Sequence, residues 1–129
     1  MNTFNLKYIT DQDINTIIEK LKDKVNESGF KVLNELSLSD KISKTLNIDF
    51  DDYHILEVCN PKFAQEIITQ EKSAGLFLPC KIAVYTDGES TKVELQKPTF
   101  MSAYFYSKHI EHVTEKIETI LDDVIKSVV

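Results

Sequence analysis

Tyr53-His54-Ile55-Leu56-Glu57-Val58-Cys59-Asn60-Pro61 decides the fold, because this short stretch holds a strand, its end and the start of a helix. The period-2 geometry of a strand sends Tyr53, Ile55, Glu57 and Cys59 to one face and His54, Leu56 and Val58 to the other. Both faces carry apolar side chains, so the strand is read as central in a sheet. Asn60 is a strong N-cap and Pro61 suits the first helical position, so a helix opens there and runs to about Glu71.

Upstream, Phe4 to Thr10 alternates with Phe4, Leu6 and Tyr8 on one face, which predicts a first strand. Thr10 is read as the N-cap of a helix with Asp11 and Asp13 in its first turn. Ile14, Ile17, Ile18, Leu21 and Val25 give that helix its apolar stripe, and Gly29 stops it. Phe30 to Leu38 is extended, and Ser39 with Asp40 is expected to cap a short helical turn that carries Ile42 and Leu46 and ends at Asn47.

Downstream, Gly75 breaks the chain and Leu76-Phe77-Leu78-Pro79-Cys80 leads into the strand residues Ile82-Ala83-Val84-Tyr85. Asp87-Gly88-Glu89-Ser90 then turns the chain back through Thr91 to Gln96, the clearest hairpin in the sequence. Pro98 ends it, Met101 to Tyr106 forms an aromatic connector, and Ser107 or Lys108 opens a last helix. Ile110, Val113, Ile117, Ile120, Leu121, Val124 and Val128 recur at helical spacing, a stripe that suits a long helix lying across a sheet. The reading is one α+β domain over residues 1–129, a mainly antiparallel sheet of about five strands with helices packed on it and a long C-terminal helix.

Composition narrows the function classes. The chain has 129 residues, 42% of them hydrophobic and 28% charged, the balance of an ordinary globular domain. Its net charge is -6 and all fifteen cationic side chains are lysines, which lack the planar fork that reads guanine and phosphate bidentately. Acidic residues interleave with the lysines throughout, so no nucleic-acid partner is expected. Met1 to Lys7 has none of the features of a secretory signal, and no apolar run approaches the roughly 18 residues of a membrane span. A cytoplasmic protein with no membrane partner and reduced thiols is the expectation.

Chemistry-bearing residues are few. Cys59 just before a helix N-terminus invites suspicion, because free amides and the helix dipole stabilise a thiolate. The plain alternative is a small buried hydrophobe at the end of a strand. Were the strand that begins at Cys80 antiparallel to the one that ends at Cys59, the two thiols would be neighbours. Twenty residues lie between them, unlike the compact Cys-x-x-Cys of thioredoxin-like enzymes, and no further donors complete a zinc set.

His109 and His112 are three apart on the last helix but stand among Glu111 and Glu115, a pattern more simply read as a solvated face. His54 has no obvious partner. Asp49, Asp51 and Asp52 lack the glycine and terminal glutamate of a calcium loop. Three isolated glycines and no Gly-x-Ser-x-Gly leave neither a phosphate cradle nor a nucleophile elbow. No metal is expected and no cofactor is indicated.

Three segments carry a likeness to a known family: Gly29 to Leu36, Ile55 to Pro61 and Gly75 to Tyr85. Their order and spacing from Gly29 to about Pro98 resemble domain of unknown function family 302. The resemblance implies a compact α+β domain with a curved antiparallel sheet, often a homodimer, and no established reaction. Its Cys-Asn-Pro and Leu-Pro-Cys motifs fall on Cys59, Asn60, Pro61 and on Leu78, Pro79, Cys80. Glu57 stands where the family tends to have a small residue and Lys81 where asparagine is common; their opposite charges also suit a pair with each other.

Two functional readings follow, beside a structural one in which both cysteines sit in the core and function lies only in dimerisation. The first is a homodimeric, non-enzymatic binding module with a small-molecule or protein-partner site formed by Glu57, Cys59, Asn60, Pro61, Leu78, Pro79, Cys80 and Lys81. The second is a thiol-dependent enzyme or redox sensor that uses Cys59 with Cys80 as its partner. In either reading the aromatic connector with Phe100, Met101, Tyr104, Phe105 and Tyr106 serves as a pocket lid, a dimer contact or core packing.

Overall fold

A computed structural model describes residues 3–129. The elements run β1 (Asn5–Thr10), α1 (Ile14–Glu27), β2 (Lys31–Ser37), α2 (Leu38–Leu46), β3 (Tyr53–Cys59), α3 (Pro61–Gln70), a 3-10 segment (Lys72–Phe77), β4 (Cys80–Asp87), β5 (Ser90–Gln96), α4 (Thr99–Ser102) and α5 (Lys108–Val128). The sheet has the order β1-β5-β4-β3-β2 and every neighbouring pair is antiparallel. β3 is interior, as its two apolar faces require, although β4 holds the middle place.

Register fixes which side chains share a face. Val58 pairs with Cys80, Leu56 with Ile82, Ile82 with Leu95 and Leu95 with Leu6, so one face is a continuous apolar surface. The stripes of α1 (Ile17, Leu21, Val25) and α5 (Ile110, Ile117, Leu121, Ile125) are fully or almost fully buried in the same core. α3 adds Ile67 and packs against α5. On the other face of β3, β4 and β5 no side chain is fully buried. The sheet thus has a covered face and an open face.

Several local expectations are corrected. Asp13, not Thr10, caps α1 by accepting from Asn15 N at 3.1 Å; Thr10 ends β1 and its hydroxyl accepts from Gln12 N at 3.2 Å. Ser37 rather than Ser39 caps α2, accepting from Asp40 N at 3.2 Å. Ser39 is buried inside that helix, where its hydroxyl accepts from Tyr53 N at 3.0 Å and locks α2 to the start of β3.

Phe4 lies outside β1 and is largely exposed, so the core-facing set is Leu6, Tyr8 and Thr10. Lys72–Phe77 and Thr99–Ser102 are helical turns too short to show a period in sequence. The other boundaries match: β3 spans Tyr53–Cys59, Asn47 ends α2 in the left-handed conformation, and Ser107 caps α5. No helix among the described residues is long and apolar enough to cross a membrane.

Candidate functional site

The three motif segments meet at one end of the sheet. Val32, Val58 and Cys80 lie in register across β2, β3 and β4 on the covered face. Asn60 ties the cluster together: its Oδ1 accepts from Lys62 N at 3.0 Å and Phe63 N at 3.3 Å, while its Nδ2 donates to Gly29 O at 3.3 Å. Gly29 has φ +90°, a left-handed conformation in which any side chain would be strained, so the pairing of this glycine with Asn60 is built into the backbone. The Leu78–Pro79 peptide bond is cis and delivers Cys80 to the first position of β4.

That geometry separates the two thiols. Because Cys80 pairs with Val58, its side chain points into the covered face, where it is 7% exposed, whereas Cys59 follows Glu57 and Ile55 on the open face. Neighbouring strands bring the residues close, yet the pleat turns their side chains to opposite sides.

The helix end offers the Cys59 thiolate little stabilisation. Pro61 offers no N–H and Asn60 already accepts those of Lys62 and Phe63, so the helix end is satisfied before the sulfur can benefit. Burial pushes the Cys59 thiol up, and it pushes Cys80 up to about 12, with the nearby Cys59 adding to the effect. The void beside Cys80, lined by Phe77, Pro98 and Met101, measures about 10 Å³, at the threshold for a single water.

The open face next to these motifs is built differently. Asn34, Glu57 and Lys81 stand in register across β2, β3 and β4. Glu57 accepts from Asn34 Nδ2 at 3.2 Å and pairs with Lys81 Nζ at 3.7 Å, so the two charged residues beside the motifs do pair. One row further on, Ala83 lies between Ile55 and Glu94 and leaves a depression of about 200 Å³. Tyr53 lines one wall and stacks on Tyr85, with ring centroids 5.2 Å apart and planes 13° from parallel, and Phe4 and Asn5 complete the lining. Lys81 and Gln96 form the opposite rim.

The carboxylate of Glu94 is held by two donors, Asn5 Nδ2 and the Tyr85 hydroxyl. Donation to that carboxylate, with burial second, raises Tyr85 to about 12. Tyr53, Ile55, Ala83, Tyr85, Glu94 and Gln96 were not among the residues expected at a site. The alternation that sends Tyr53, Ile55 and Glu57 to one face was legible, but not that this face would stay uncovered.

Elsewhere the chemistry is sparse. His109 and His112 are exposed on α5, and no group of three or more metal-ligating side chains occurs among the described residues. Asp49, Asp51 and Asp52 are exposed, and Thr86 N donates to the backbone oxygen of Asp52 at 3.1 Å. His54 faces the covered side with its Nδ1 buried and unpartnered among the described residues. A wide groove of about 440 Å³ between α3 and α5 is floored by Phe63 and Ile120.

The comparisons agree with the geometry. The model of the family described as domain of unknown function DUF302 matches residues 6–128. The chain belongs to the DUF302 family. Its fold is that of an uncharacterized conserved DUF302 protein from Bacillus stearothermophilus, known from a crystal structure, with a TM-score of 0.92 and 29% identity over 99% of this chain and 100% of that one. No curated protein matches. In this fold Cys59-Asn60-Pro61 ends β3 and caps α3, and Leu78-Pro79-Cys80 leads into β4.

Proposed function

We propose that this DUF302 protein is a homodimeric, non-enzymatic binding module whose small-molecule site lies on the open face of the sheet, beside the motif segments rather than at their thiols. The observation that carries the reading is the 200 Å³ depression over Ala83, lined by Phe4, by Tyr53 with Tyr85 stacked behind it, and by Lys81. An aromatic wall, an apolar floor and a few fixed polar groups are the usual make-up of a small-ligand site. Of the residues expected at the site, Lys81 lines the depression, Glu57 adjoins it through Lys81, and Cys59 shares its face. Asn60 and Pro61 stand at the start of α3, Leu78 and Pro79 ahead of β4, and Cys80 on the covered face, none of them lining the depression.

The second copy has a natural seat at the aromatic end of the molecule. Phe4, Phe100, Tyr104 and Phe77 form a chain of ring contacts, with centroids 6.3, 5.6 and 5.6 Å apart. Leu76 beside them is 89% exposed and Tyr104 61% exposed. Clustered exposed aromatics of this kind mark association surfaces. Sedimentation velocity at micromolar concentration, without metal or oxidant, is expected to show a dimer that Leu76→Asp weakens; a monomer would overturn that part of the reading.

The alternative, a thiol-dependent enzyme or redox sensor using Cys59 with Cys80, has less in its favour. Both thiols are raised rather than lowered, and they point to opposite sides of the sheet. The binding site itself is tested by screening fragments against the folded protein by amide NMR. Shifts are expected at Ile55, Lys81 and Ala83; a screen whose hits all fall outside the open face would overturn it.

A further inference from the structure

With the open face as the binding site, as proposed above, we infer that its ligand class is a small planar carboxylate, the ring lying over Ala83 and Ile55 against the tyrosine wall and the carboxylate meeting Lys81 and Gln96. Size sets the first limit. A depression of about 200 Å³ lies below the roughly 300–1,000 Å³ of pockets for drug-sized ligands, so the occupant is a compact molecule of about one ring.

Hydrogen-bonding capacity sets the second. Glu94, the acceptor in the depression, already takes donors from Asn5 and Tyr85 and is engaged on both oxygens. On the opposite rim stands a cationic donor, Lys81, whose partners are long, beside the Gln96 amide. Lys81 Nζ makes one loose ion pair at 3.7 Å and a weak contact with Pro79 O at 3.4 Å, and its side chain is 42% exposed. The Gln96 amide has no side-chain hydrogen bond among the described residues, nor has the Tyr53 hydroxyl, which completes the set of free donors around the floor. An ammonium ligand would share Glu94 with two donors already on it, whereas a carboxylate gains the Lys81 ammonium and the free Gln96 and Tyr53 donors.

Charge gives the third limit. The open face carries four lysines, Lys7, Lys31, Lys81 and Lys92, against three carboxylates, Glu57, Asp87 and Glu94. Its sum is +1 in a chain whose net charge is -6, so this face does not share the anionic excess of the whole chain. The flat Tyr53–Tyr85 pair, with its planes 13° apart, offers an edge against which a planar ring packs at little cost in conformational entropy.

Amide NMR of the full chain titrated with benzoate, benzamide and benzylammonium tests the assignment. Benzoate is expected to shift Ile55, Lys81, Ala83 and Gln96 and to bind at least tenfold more tightly than benzamide, with benzylammonium weaker still. Lys81→Met is expected to remove the preference for benzoate over benzamide while leaving benzamide in place. Ala83→Leu is expected to block all three, with the dispersion of the remaining amide signals confirming the fold. Equal binding of the three probes on this face, or a Lys81→Met variant that keeps the preference, overturns the carboxylate class but leaves the face as a binding site. Probes that shift only the α3–α5 groove, or nothing on the open face, overturn both.

Discussion

The two faces of the sheet are made from the same strands, residue by residue in alternation, and yet they differ in what they do. On the covered face Leu56, Val58, Ile82, Val84, Val93 and Leu95 are sealed under α1 and α5 with no solvent exposure. On the open face their immediate neighbours Ile55, Glu57, Ala83, Tyr85 and Glu94 stay within reach of water and join in hydrogen bonds, an ion pair and a ring stack. The difference teaches that core burial and access to solvent alternate along one strand, with the recognition proposed above placed on the accessible positions. A change of one residue in position moves a substitution from one property to the other.

The largest effect should come from adjacent residues of β3. Leu56→Ala removes a fully buried side chain from the core and is expected to cost about 2–5 kcal/mol in urea unfolding. Ile55→Ala on the open face should cost less than about 1.5 kcal/mol, since its side chain is only partly covered. Equal losses would remove the distinction between the faces.

Next in size is the joint between the motifs. Asn60→Ala leaves the amides of Lys62 and Phe63 and the carbonyl of Gly29 without their partner, and is expected to cost about 1–2 kcal/mol. Asn60→Asp keeps the N-cap but replaces the donor to Gly29 O with a carboxylate oxygen, so it should restore only part of the loss. Full restoration would show that the bond to Gly29 contributes nothing.

The thiols sharpen the comparison by pH. Cys80 is raised to about 12 in the folded chain, so the unfolded chain gives up this proton first as pH rises. The stability associated with the protonated thiol is present below about pH 8.5 and is lost progressively towards pH 12. Urea midpoints measured across this range should fall for the native sequence and fall less for Cys80→Ala. In the folded protein an alkylating reagent at pH 8 should modify Cys59 before Cys80; simultaneous modification would contradict their placement on opposite faces.

The smallest effect is expected at Tyr85→Phe, which removes one donor to Glu94 at a partly exposed position and should cost about 0.5–1.5 kcal/mol. It frees one oxygen of Glu94, and so should narrow the margin by which benzoate is favoured over benzylammonium. An unchanged margin would mean that the Glu94 carboxylate is not shielded by its donors.

Much of this was legible in the sequence, for reasons that also explain the rest. Asn60-Pro61 and Ser107 declare helix starts through side-chain chemistry, and the stripe from Ile110 to Val128 declares a covered helix face through its period. Period 2 in Tyr53–Cys59 assigned each side chain to a face. It could not say which face the helices would take, because Ile55 and Tyr53 are as apolar as Leu56 and Val58. The same ambiguity hides the separation of Cys59 from Cys80, which depends on a register that only the pairing of Val58 with Cys80 reveals. Glu57 and Lys81 stood out in the sequence because charges beside an apolar strand end are conspicuous; Ala83 did not, because a small residue announces nothing until its larger neighbours stand around it.

The adjacent β4 residues Ala83 and Val84 test the division of labour most directly, with urea unfolding and benzoate titration performed on the same two variants. Val84→Ala is expected to lower stability by about 1.5–3 kcal/mol and to leave benzoate binding within twofold of the native chain. Ala83→Leu is expected to leave the unfolding free energy within about 0.5 kcal/mol and to abolish the benzoate shifts. An Ala83→Leu variant that binds benzoate as well as the native chain, or a Val84→Ala variant that loses binding while still folded, would contradict the assignment of recognition to the open face.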